Sequence, residues 1–295
     1  MPFTRRSLFK LSASVALTAI AVDSSVLEPN SPKLVELTLP IKRLPAAWDG
    51  FRIAQLSDFH YDEDFSVVPL RKAVEVINTL KPDLIVLTGD FVTAPLFVSR
   101  SKKAAEVVSR RKKAAADLID PCAQLLTKLK ARLGLYACLG NHDASTDPDR
   151  IFNTLQSHNI TVLRNHSVPF EKEGKRLWLA GVDDVINGSP DLDITLQKIP
   201  TDEAVVLLAH EPDYATHVAK YSVDLQLSGH SHGGQVRIPF IGAPILPELG
   251  VKYSKGLYQV GKLALYTNVG IGTVNLPVRF DCPPEITLIT LKSNS

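Results

Sequence analysis

Residues 52–60 read Arg52-Ile53-Ala54-Gln55-Leu56-Ser57-Asp58-Phe59-His60. Their apolar and polar residues alternate up to the serine, which is typical of a β-strand. A helical repeat of apolar residues over 67–80 and a second apolar run over 84–88 follow. Strand, helix and strand in this order predict a parallel sheet, in which the carboxyl ends of the strands meet along one edge. The sequence therefore places Asp58 and Asp90, which follow the two strands, at the same edge.

Beyond this unit the chain first alternates helix with strand and then becomes rich in strands. Helices are predicted over 101–132 and 147–156 from the spacing of apolar residues and from a proline in the first turn of the second helix. The remaining apolar runs predict strands at 135–139, 177–182, 205–209, 225–227, 263–267 and 286–291. Large α/β folds reach this length as one unit, so we expect a single domain over 34–295.

The composition is that of a folded protein, with 45% hydrophobic and 22% charged residues. The formal net charge is +2. Arg5, Arg6 and Lys10 lie in a segment that we expect to be removed, so the folded body is close to neutral. Nucleic-acid binding normally requires a basic face. We therefore expect no nucleic-acid partner, and we expect a monomer.

The N-terminal segment combines a charged start with a short apolar stretch. The pair Arg5-Arg6 precedes the apolar residues 11–22, and an Ala-x-Ala triplet closes the segment. These are the parts of an export signal, and the arginine pair resembles a twin-arginine signal. We expect residues 1–21 to be that signal and residues 22–33 to be a linker. The twin-arginine export machinery would then carry the protein across the cytoplasmic membrane, and an uncleaved membrane anchor is the alternative.

Five short motifs carry most of the histidines together with carboxylate and amide side chains. They are Asp58-Phe59-His60, Gly89-Asp90, Gly140-Asn141-His142-Asp143, Ala209-His210-Glu211 and Gly229-His230-Ser231-His232. Carboxylate and amide oxygens bind hard divalent ions, and imidazole suits zinc, iron and manganese. Each motif follows a predicted strand, so the sequence predicts a metal site with both oxygen and nitrogen ligands.

Two local patterns support such a site. Alternate residues of a strand point to the same face, so Asp58 and His60 are expected to hold one ion together. Glycine stands before Asp90, Asn141 and His230. A residue without Cβ allows the chain to turn sharply where it leaves a strand and presents a ligand to a metal.

The order of these motifs resembles that of the calcineurin-like metallophosphoesterases. Residues 229–236 and 276–285 further resemble a bacterial exported branch of that family, so the likeness covers nearly all of the chain after the signal. The resemblance implies an α/β fold of four layers. In this αββα sandwich two mixed β-sheets pack face to face between helices, and the metals lie at one end.

The resemblance also implies two divalent ions and a division of the ligands between them, with Asp90 bridging the pair. The first ion would be held by Asp58, His60, Asp90 and His232. The second would be held by Asp90, Asn141, His210 and His230. Manganese, zinc and iron all suit this donor set.

For the reaction, the resemblance implies hydrolysis of a phosphodiester or phosphomonoester by a metal-bridging hydroxide. His142 is not a ligand in this scheme; it faces the phosphate, where it donates a proton or stabilises charge. Asp143 is expected to orient the ring of His142. Two alternatives stay open: a lipid-linked sugar-nucleotide pyrophosphatase of the UDP-diacylglucosamine type at the membrane surface, and a metal-binding protein without catalysis.

Several other segments have a second interpretation. The apolar stretch 238–247 is either a packed loop beside the site or a wall that receives a lipid-bearing phosphodiester or a membrane surface. The basic segment 101–113 is either a solvated helix face or a contact for a phosphate-bearing surface. Asp183-Asp184 is interpreted as a turn rather than a metal site, and the histidines outside the motifs as surface or structural residues.

Overall fold

The computed structural model describes residues 5–95 and 102–293. The first four residues of the predicted export signal and the first residue of the helix predicted over 101–132 lie outside this part of the chain. Within the two described ranges, no helix is both long enough and apolar enough to cross a bilayer.

The described residues form strands and helices throughout the chain. The strands are β1 (Lys33–Ile41), β2 (Arg52–Leu56), β3 (Leu84–Thr88), β4 (Leu135–Cys138), β5 (Ile160–Val162), β6 (His166–Lys172), β7 (Lys175–Gly181), β8 (Ala204–Leu208), β9 (Leu225–Ser228), β10 (Gly256–Val260), β11 (Leu263–Thr267) and β12 (Glu285–Ser293). The α-helices are α1 (Arg5–Val22), α2 (Val67–Leu80), α3 (Lys102–Asp117), α4 (Ile119–Leu126), α5 (Asn141–Thr146), α6 (Pro148–Ser157), α7 (Leu192–Leu196) and α8 (Ala215–Val218).

The strands form two six-stranded sheets. The first has the order β1-β12-β2-β3-β4-β5, and β2 to β5 run parallel. The second has the order β10-β11-β9-β8-β7-β6, and β11 to β7 run parallel. Antiparallel pairs occur in both sheets, between β12 and β2 in the first and near both edges of the second, so both sheets are mixed.

Three apolar layers hold the elements together. The central layer joins the inner faces of the two sheets, with buried residues from β2, β3 and β4 on one side and β7, β8 and β9 on the other. A second layer packs α2, α4 and α6 on the outside of the first sheet. A third packs α7 and α8 on the outside of the second sheet. The predicted αββα sandwich is confirmed.

The element limits agree with the sequence in some places and differ in others. β3 and β11 have the predicted bounds. The single helix predicted over 101–132 is instead two helices, α3 and α4, followed by turns. Pro121 stands in the first turn of α4, where proline can begin a helix but would interrupt one that continued from α3.

The segment predicted as a linker is structured. A π-helical turn, Asp23–Leu27, continues α1. The backbone carbonyl of Ser24 accepts the N–H of Arg279 at 2.9 Å, and the carboxylate of Glu28 accepts the N–H groups of Asp281 and Cys282. These hydrogen bonds attach the base of α1 directly to the domain.

Candidate metal centre

The five motifs lie at the carboxyl ends of parallel strands from both sheets. Those after β2, β3 and β4 come from the first sheet, and those after β8 and β9 come from the second. Because the sheets face each other, the five strand ends surround one site. The structure brings together all the predicted ligands, which are Asp58, His60, Asp90, Asn141, His210, His230 and His232. All of them are buried except Asn141, which is half-buried.

Most of these ligands have a left-handed backbone. The φ angles are 51° at Asp58, 39° at His60, 56° at Asp90, 68° at His230 and 51° at His232. Such angles are uncommon outside glycine and concentrate at functional sites. β2 ends at Leu56, so strand alternation does not explain how Asp58 and His60 converge, contrary to the prediction. Their side chains meet because the chain turns after the strand.

The glycines before the ligands have two different roles. Gly89 has a φ of 87°, which fits the predicted sharp turn. Gly140 and Gly229 are required for space instead. A Cβ on Gly140 would lie 2.3 Å from Oδ1 of Asp90, and one on Gly229 would lie 1.8 Å from Oγ of Ser57. The two strand ends therefore approach the ligands more closely than any larger residue allows.

One group of ligand atoms comes from Asp58, His60 and His232. The Nε2 atoms of the two histidines lie 3.0 Å apart. Nε2 of His232 is 3.3 Å from Oδ1 of Asp58, and Nε2 of His60 is 3.5 Å from Oδ2 of Asp90. Two imidazole nitrogens at this distance, with a carboxylate oxygen beside them, are suited to binding one cation together.

A second group comes from Asp90, Asn141, His210 and His230. Nε2 of His210 lies 3.2 Å from Oδ2 of Asp90, and Nδ1 of His230 lies 2.9 Å from Oδ1 of Asn141. Oδ2 of Asp90 thus contacts a histidine from each group. Asp90 therefore lies between the two groups of ligand atoms.

Backbone carbonyls fix which nitrogen of two histidines faces the site. Nδ1 of His210 is 2.6 Å from the carbonyl oxygen of Thr88, and Nε2 of His230 is 2.6 Å from that of Glu248. A carbonyl only accepts, so these two nitrogens carry the ring protons. The opposite nitrogens then offer lone pairs to the centre, as in metal-binding histidines whose second nitrogen donates to the protein.

Burial controls the charges of the cluster. It lowers the pKa of His60 to about 3 and that of His230 to about 4, so both rings are neutral at ordinary pH. Burial also raises the pKa of Asp58 to about 7. Although burial opposes both charges, the mutual attraction of His210 and Asp90 raises the pKa of the histidine and lowers that of the carboxyl.

The donor atoms fit a divalent cation. Nε2 of His210 is buried and has no hydrogen-bond partner among the described residues, although it points at a carboxylate. Buried polar groups are otherwise almost always paired. Imidazoles and carboxylates that converge in this way are the ligands that zinc, iron and manganese prefer.

His142 lies beside the ligands but is held differently. Its Nδ1 accepts the backbone N–H of Ala94 at 2.9 Å, which assigns the ring proton to Nε2. Its own backbone N–H donates to Oδ1 of Asp90 at 2.9 Å, and its ring meets the ring of His60 edge-on with centroids 4.8 Å apart. The half-buried ring therefore presents an N–H donor next to the centre.

The structure does not place Asp143 on the ring of His142. The Asp143 carboxylate accepts the N–H groups of Phe91, Val92 and Gly140 at 2.9, 3.3 and 3.0 Å. It is fully buried and ties the loop after β3 to the start of α5. The carboxylate therefore holds two ligand-bearing segments together. Asp143 does not contact the ring of His142, because side chains that are adjacent on a helix point in different directions.

Two features of the site have no signal in the sequence motifs. The fully buried guanidinium of Arg279 donates to the carbonyls of Val269, Gly270, Gly272 and Cys282. Behind His210, the carboxyl groups of Asp184 and Glu211 are both buried, and burial together with the interaction between them raises the pKa of Glu211 well above its ordinary value. Asp183 and Asp184 also accept the backbone N–H groups of a turn, as predicted. Asp184 and Glu211 belong to different segments of the chain, so a local sequence pattern does not predict that they meet.

A cavity of about 450 Å³ opens beside the ligands. Asp90, His142 and His230 form one side of it. Much of the remaining wall is apolar and includes Ile245, Leu246, Val274, Leu276 and Val278. A substrate group next to the reacting phosphate would therefore meet aliphatic side chains.

Comparison with known proteins agrees with this arrangement. Residues 51–234, which contain all five motifs, match the model of the calcineurin-like phosphoesterase family. The chain is 36% identical to the uncharacterized metallophosphoesterase YkuE of Bacillus subtilis (strain 168), over 91% of this chain and 88% of that protein. It is 30% identical to the phosphodiesterase YaeI of Escherichia coli (strain K12), over 97% and 98%. It is 26% identical to the UDP-2,3-diacylglucosamine pyrophosphatase LpxG of Chlamydia muridarum (strain MoPn / Nigg), over 95% and 97%. The chain therefore belongs to the calcineurin-like phosphoesterase family and is a metal-dependent phosphoric ester hydrolase.

Proposed function

We propose that the protein is a binuclear phosphodiesterase. The observation that carries the proposal is the convergence of two ligand groups on Asp90, with the N–H donor of His142 next to both. When bound, two ions would lower the pKa of a water molecule and offset the negative charge of the phosphate. Asp58, His60 and His232 would hold one ion, and Asn141, His210 and His230 the other.

The chain's own residues then act on the phosphate. His142 is oriented by Ala94, so that its Nε2–H can donate to a phosphoryl oxygen or protonate the leaving oxygen. Asp143 holds the segments that carry His142 and Asp90 in fixed positions relative to each other, because its carboxylate accepts backbone N–H groups from both segments. The apolar cavity wall excludes water from the leaving group.

The test is a metal titration of the chelator-treated protein. Manganese, zinc or ferrous ions are added in steps while turnover of bis(p-nitrophenyl) phosphate and of p-nitrophenyl phosphate is measured and bound metal is counted. We expect turnover to rise until two ions are bound, with the diester preferred. Full activity with one ion, or without metal, would contradict the proposal. His217→Ala changes an exposed histidine outside the centre and serves as the control.

The apolar cavity favours a second candidate, the hydrolysis of a lipid-linked sugar-nucleotide pyrophosphate. Leu246 and Val278 line the cavity next to the ligands and would contact acyl chains. We expect Leu246→Ser and Val278→Ser to lower kcat/KM for a diacylated sugar nucleotide by a larger factor than kcat/KM for bis(p-nitrophenyl) phosphate. Equal effects on both substrates would exclude this candidate.

We also propose that the twin-arginine segment directs export. The support is the sequence itself, in which Arg5-Arg6 precedes a short apolar stretch. Cell fractionation should find the protein outside the cytoplasmic membrane, and N-terminal sequencing should show whether cleavage follows Ala21 or the segment remains as an anchor. Unchanged export of the variant Arg5→Lys/Arg6→Lys would contradict the proposal.

A further inference from the structure

A tight hairpin projects from the domain close to the metal centre. The N–H of Gly242 donates to the carbonyl of Ile238 at 2.8 Å, and the N–H of Ile241 donates to the same carbonyl at 3.0 Å. The turn places Phe240 at the tip, where its relative exposure is 109%, and Ile241 beside it at 74%. Phe240 has a φ of 67°, an unfavourable angle for a bulky residue. The turn thus holds an aromatic side chain outward into solvent.

The apolar surface extends from this hairpin to the cavity. Ile245 and Leu276 are 79% and 67% exposed, and both also line the cavity beside the ligands. Large exposed apolar side chains are common singly on a protein surface. Here two of them line the opening and two more stand on the adjoining hairpin, and together they indicate a contact surface.

A basic helix lies next to this surface. Arg110, Arg111 and Lys113 are exposed on α3, which packs against the ligand-bearing helix α5. Arg111 lines a second cavity, which it shares with His60 and Leu276. Leu276 belongs to the walls of both cavities, so the basic helix and the apolar surface adjoin each other at the mouth of the site.

The base of the N-terminal helix lies against the same part of the domain. Ser24 and Glu28 are hydrogen-bonded to residues 279–282, and the strand-like bridge between Val236 and Phe280 connects that segment to the hairpin. Val22, Val26 and Leu27 follow the expected cleavage point and are exposed. More apolar surface is therefore exposed near the opening.

We propose that an anionic phospholipid bilayer binds this surface, with Phe240 and Ile241 inserted among the lipids and Arg110 and Lys113 of α3 facing their phosphates. Apolar side chains backed by Lys and Arg are the combination that attaches proteins to the interface of anionic membranes. The functional role of this contact rests on the proposed function, because the bilayer would touch the protein at the mouth of the hydrolytic site.

The first test places a fluorescent reporter at the hairpin tip of the full-length chain. Trp48 and Trp178, the two native tryptophans, are 2% and 5% exposed and form a constant background. We expect Phe240→Trp to shift its emission to the blue on addition of phosphatidylglycerol vesicles and to be quenched by brominated phosphatidylglycerol. Ile194→Trp is the matched control, because Ile194 is exposed on α7 and lines neither cavity. An unshifted, unquenched Phe240→Trp in the presence of these vesicles would overturn the proposal.

A second test measures vesicle affinity and turnover in the same samples. Phe240→Ser/Ile241→Ser should weaken binding to phosphatidylglycerol vesicles by about tenfold or more. Arg110→Gln/Lys113→Gln should weaken it by about fivefold per cation, and added salt should do the same. Ile194→Ser/Leu257→Ser removes two exposed apolar side chains elsewhere and should bind as the parent does.

The two proposals can fail separately. Phe240 and Ile241 do not line the cavity, so the hairpin variant should hydrolyse soluble bis(p-nitrophenyl) phosphate at the parental rate. Parental turnover with unchanged vesicle affinity of the hairpin variant would refute the membrane contact alone. Metal-independent or absent turnover by a parent that binds vesicles through the hairpin would refute the proposed function alone.

Discussion

At the residue scale, the histidines of the centre differ in what fixes each ring. His210 and His230 donate to backbone carbonyls, so their free nitrogens face the ligand groups. His142 instead accepts from Ala94 and points a donor at the same place. A ligand and a proton donor can therefore be distinguished by hydrogen bonds alone.

The first prediction separates these roles. His142→Ala should retain bound metal and lose turnover by about 10²- to 10⁴-fold, because it removes a proton donor and no ligand. Asp90→Ala should lose both metal and turnover, since this carboxylate lies between the two ligand groups. Metal content and kcat for bis(p-nitrophenyl) phosphate are the measurements. Equal metal loss in the two variants would disprove the role given to His142.

The buried Asp184–Glu211 pair determines a second prediction. Burial, with the hydrogen bond to Asp184 second, raises the pKa of Glu211 well above its ordinary value. A carboxyl with a raised folded-state pKa stabilises the fold fully below its unfolded pKa. That stability is lost as the pH rises through the folded value.

Glu211→Gln should remove this pH dependence, because the amide resembles the protonated acid and can still donate to Asp184. The free energy of unfolding of the metal-free parent should fall relative to that of the variant by up to about 1.4 kcal/mol per pH unit above pH 5. Denaturant titrations between pH 5 and 9 provide the measurement. If the free energies of unfolding of the two proteins changed with pH in parallel, the raised pKa of Glu211 would be contradicted.

The sequence predicts the identity of the ligands better than their geometry. Motif order was enough to select Asp58, His60, Asp90 and the later ligands, because each follows an apolar run. The left-handed backbone at Asp58 and His60 was not predictable from local pattern. It arises from long-range contacts, such as the N–H of Gly272 donating to the carbonyl of Asp58 at 2.8 Å.

At the element scale, the loop after β11 depends on one side chain. Arg279 donates to four carbonyls of the segments 269–272 and 282. That loop in turn hydrogen-bonds through Ile271 and Gly272 to Ser57 and Asp58. A buried cation thus supports the turn that carries the first ligand.

Arg279→Met should destabilise the protein by about 3 kcal/mol or more, because several buried carbonyls lose their donor at once. It should also weaken metal binding through Asp58. Arg176→Met is the matched control: this arginine is half-exposed in an ion pair with Glu203, and we expect a loss below about 1 kcal/mol. Denaturant unfolding measures the loss of stability, and metal titration measures the loss of affinity. Similar losses of stability in the two variants would refute the special role of Arg279.

The four strands that were not predicted from the sequence are all edge strands. β1 and β5 form the edges of the first sheet, and β10 and β6 form those of the second. Edge strands expose one side to solvent, so polar residues interrupt their apolar runs, as the exposed residues of β6 and β10 show. The central strands β3 and β8 are buried along their whole length and produce the continuous apolar signal that sequence patterns detect.

At the scale of the whole molecule, the metal centre joins the two sheets. Ligands after β2, β3 and β4 face ligands after β8 and β9 across the sandwich. Bound cations would offset the charges of Asp58 and Asp90 and connect the two halves of the fold. Stability and metal binding are therefore linked.

Removal of metal should lower the thermal stability. At a free metal concentration about 100-fold above Kd, binding adds about 2.7 kcal/mol, which corresponds to roughly 4 °C in Tm for a chain of this size. Calorimetry of the chelated and reloaded protein measures this difference. Asp90→Ala should show no shift on addition of metal, and an equal Tm of the two parental forms would contradict the linkage.

The position of β12 has a consequence for how the protein is made. β12 comes from residues 285–293, yet it lies inside the first sheet, between β1 and β2. During synthesis β2 therefore keeps an unpaired edge until residues 285–293 have been made and have left the ribosome. The turn that carries Asp58 also cannot form its supporting hydrogen bonds until Gly272 and Arg279 have been made. An ordered metal centre thus requires the residues that follow β11, and a chain shortened before Glu285 should expose an edge strand and carry no intact centre.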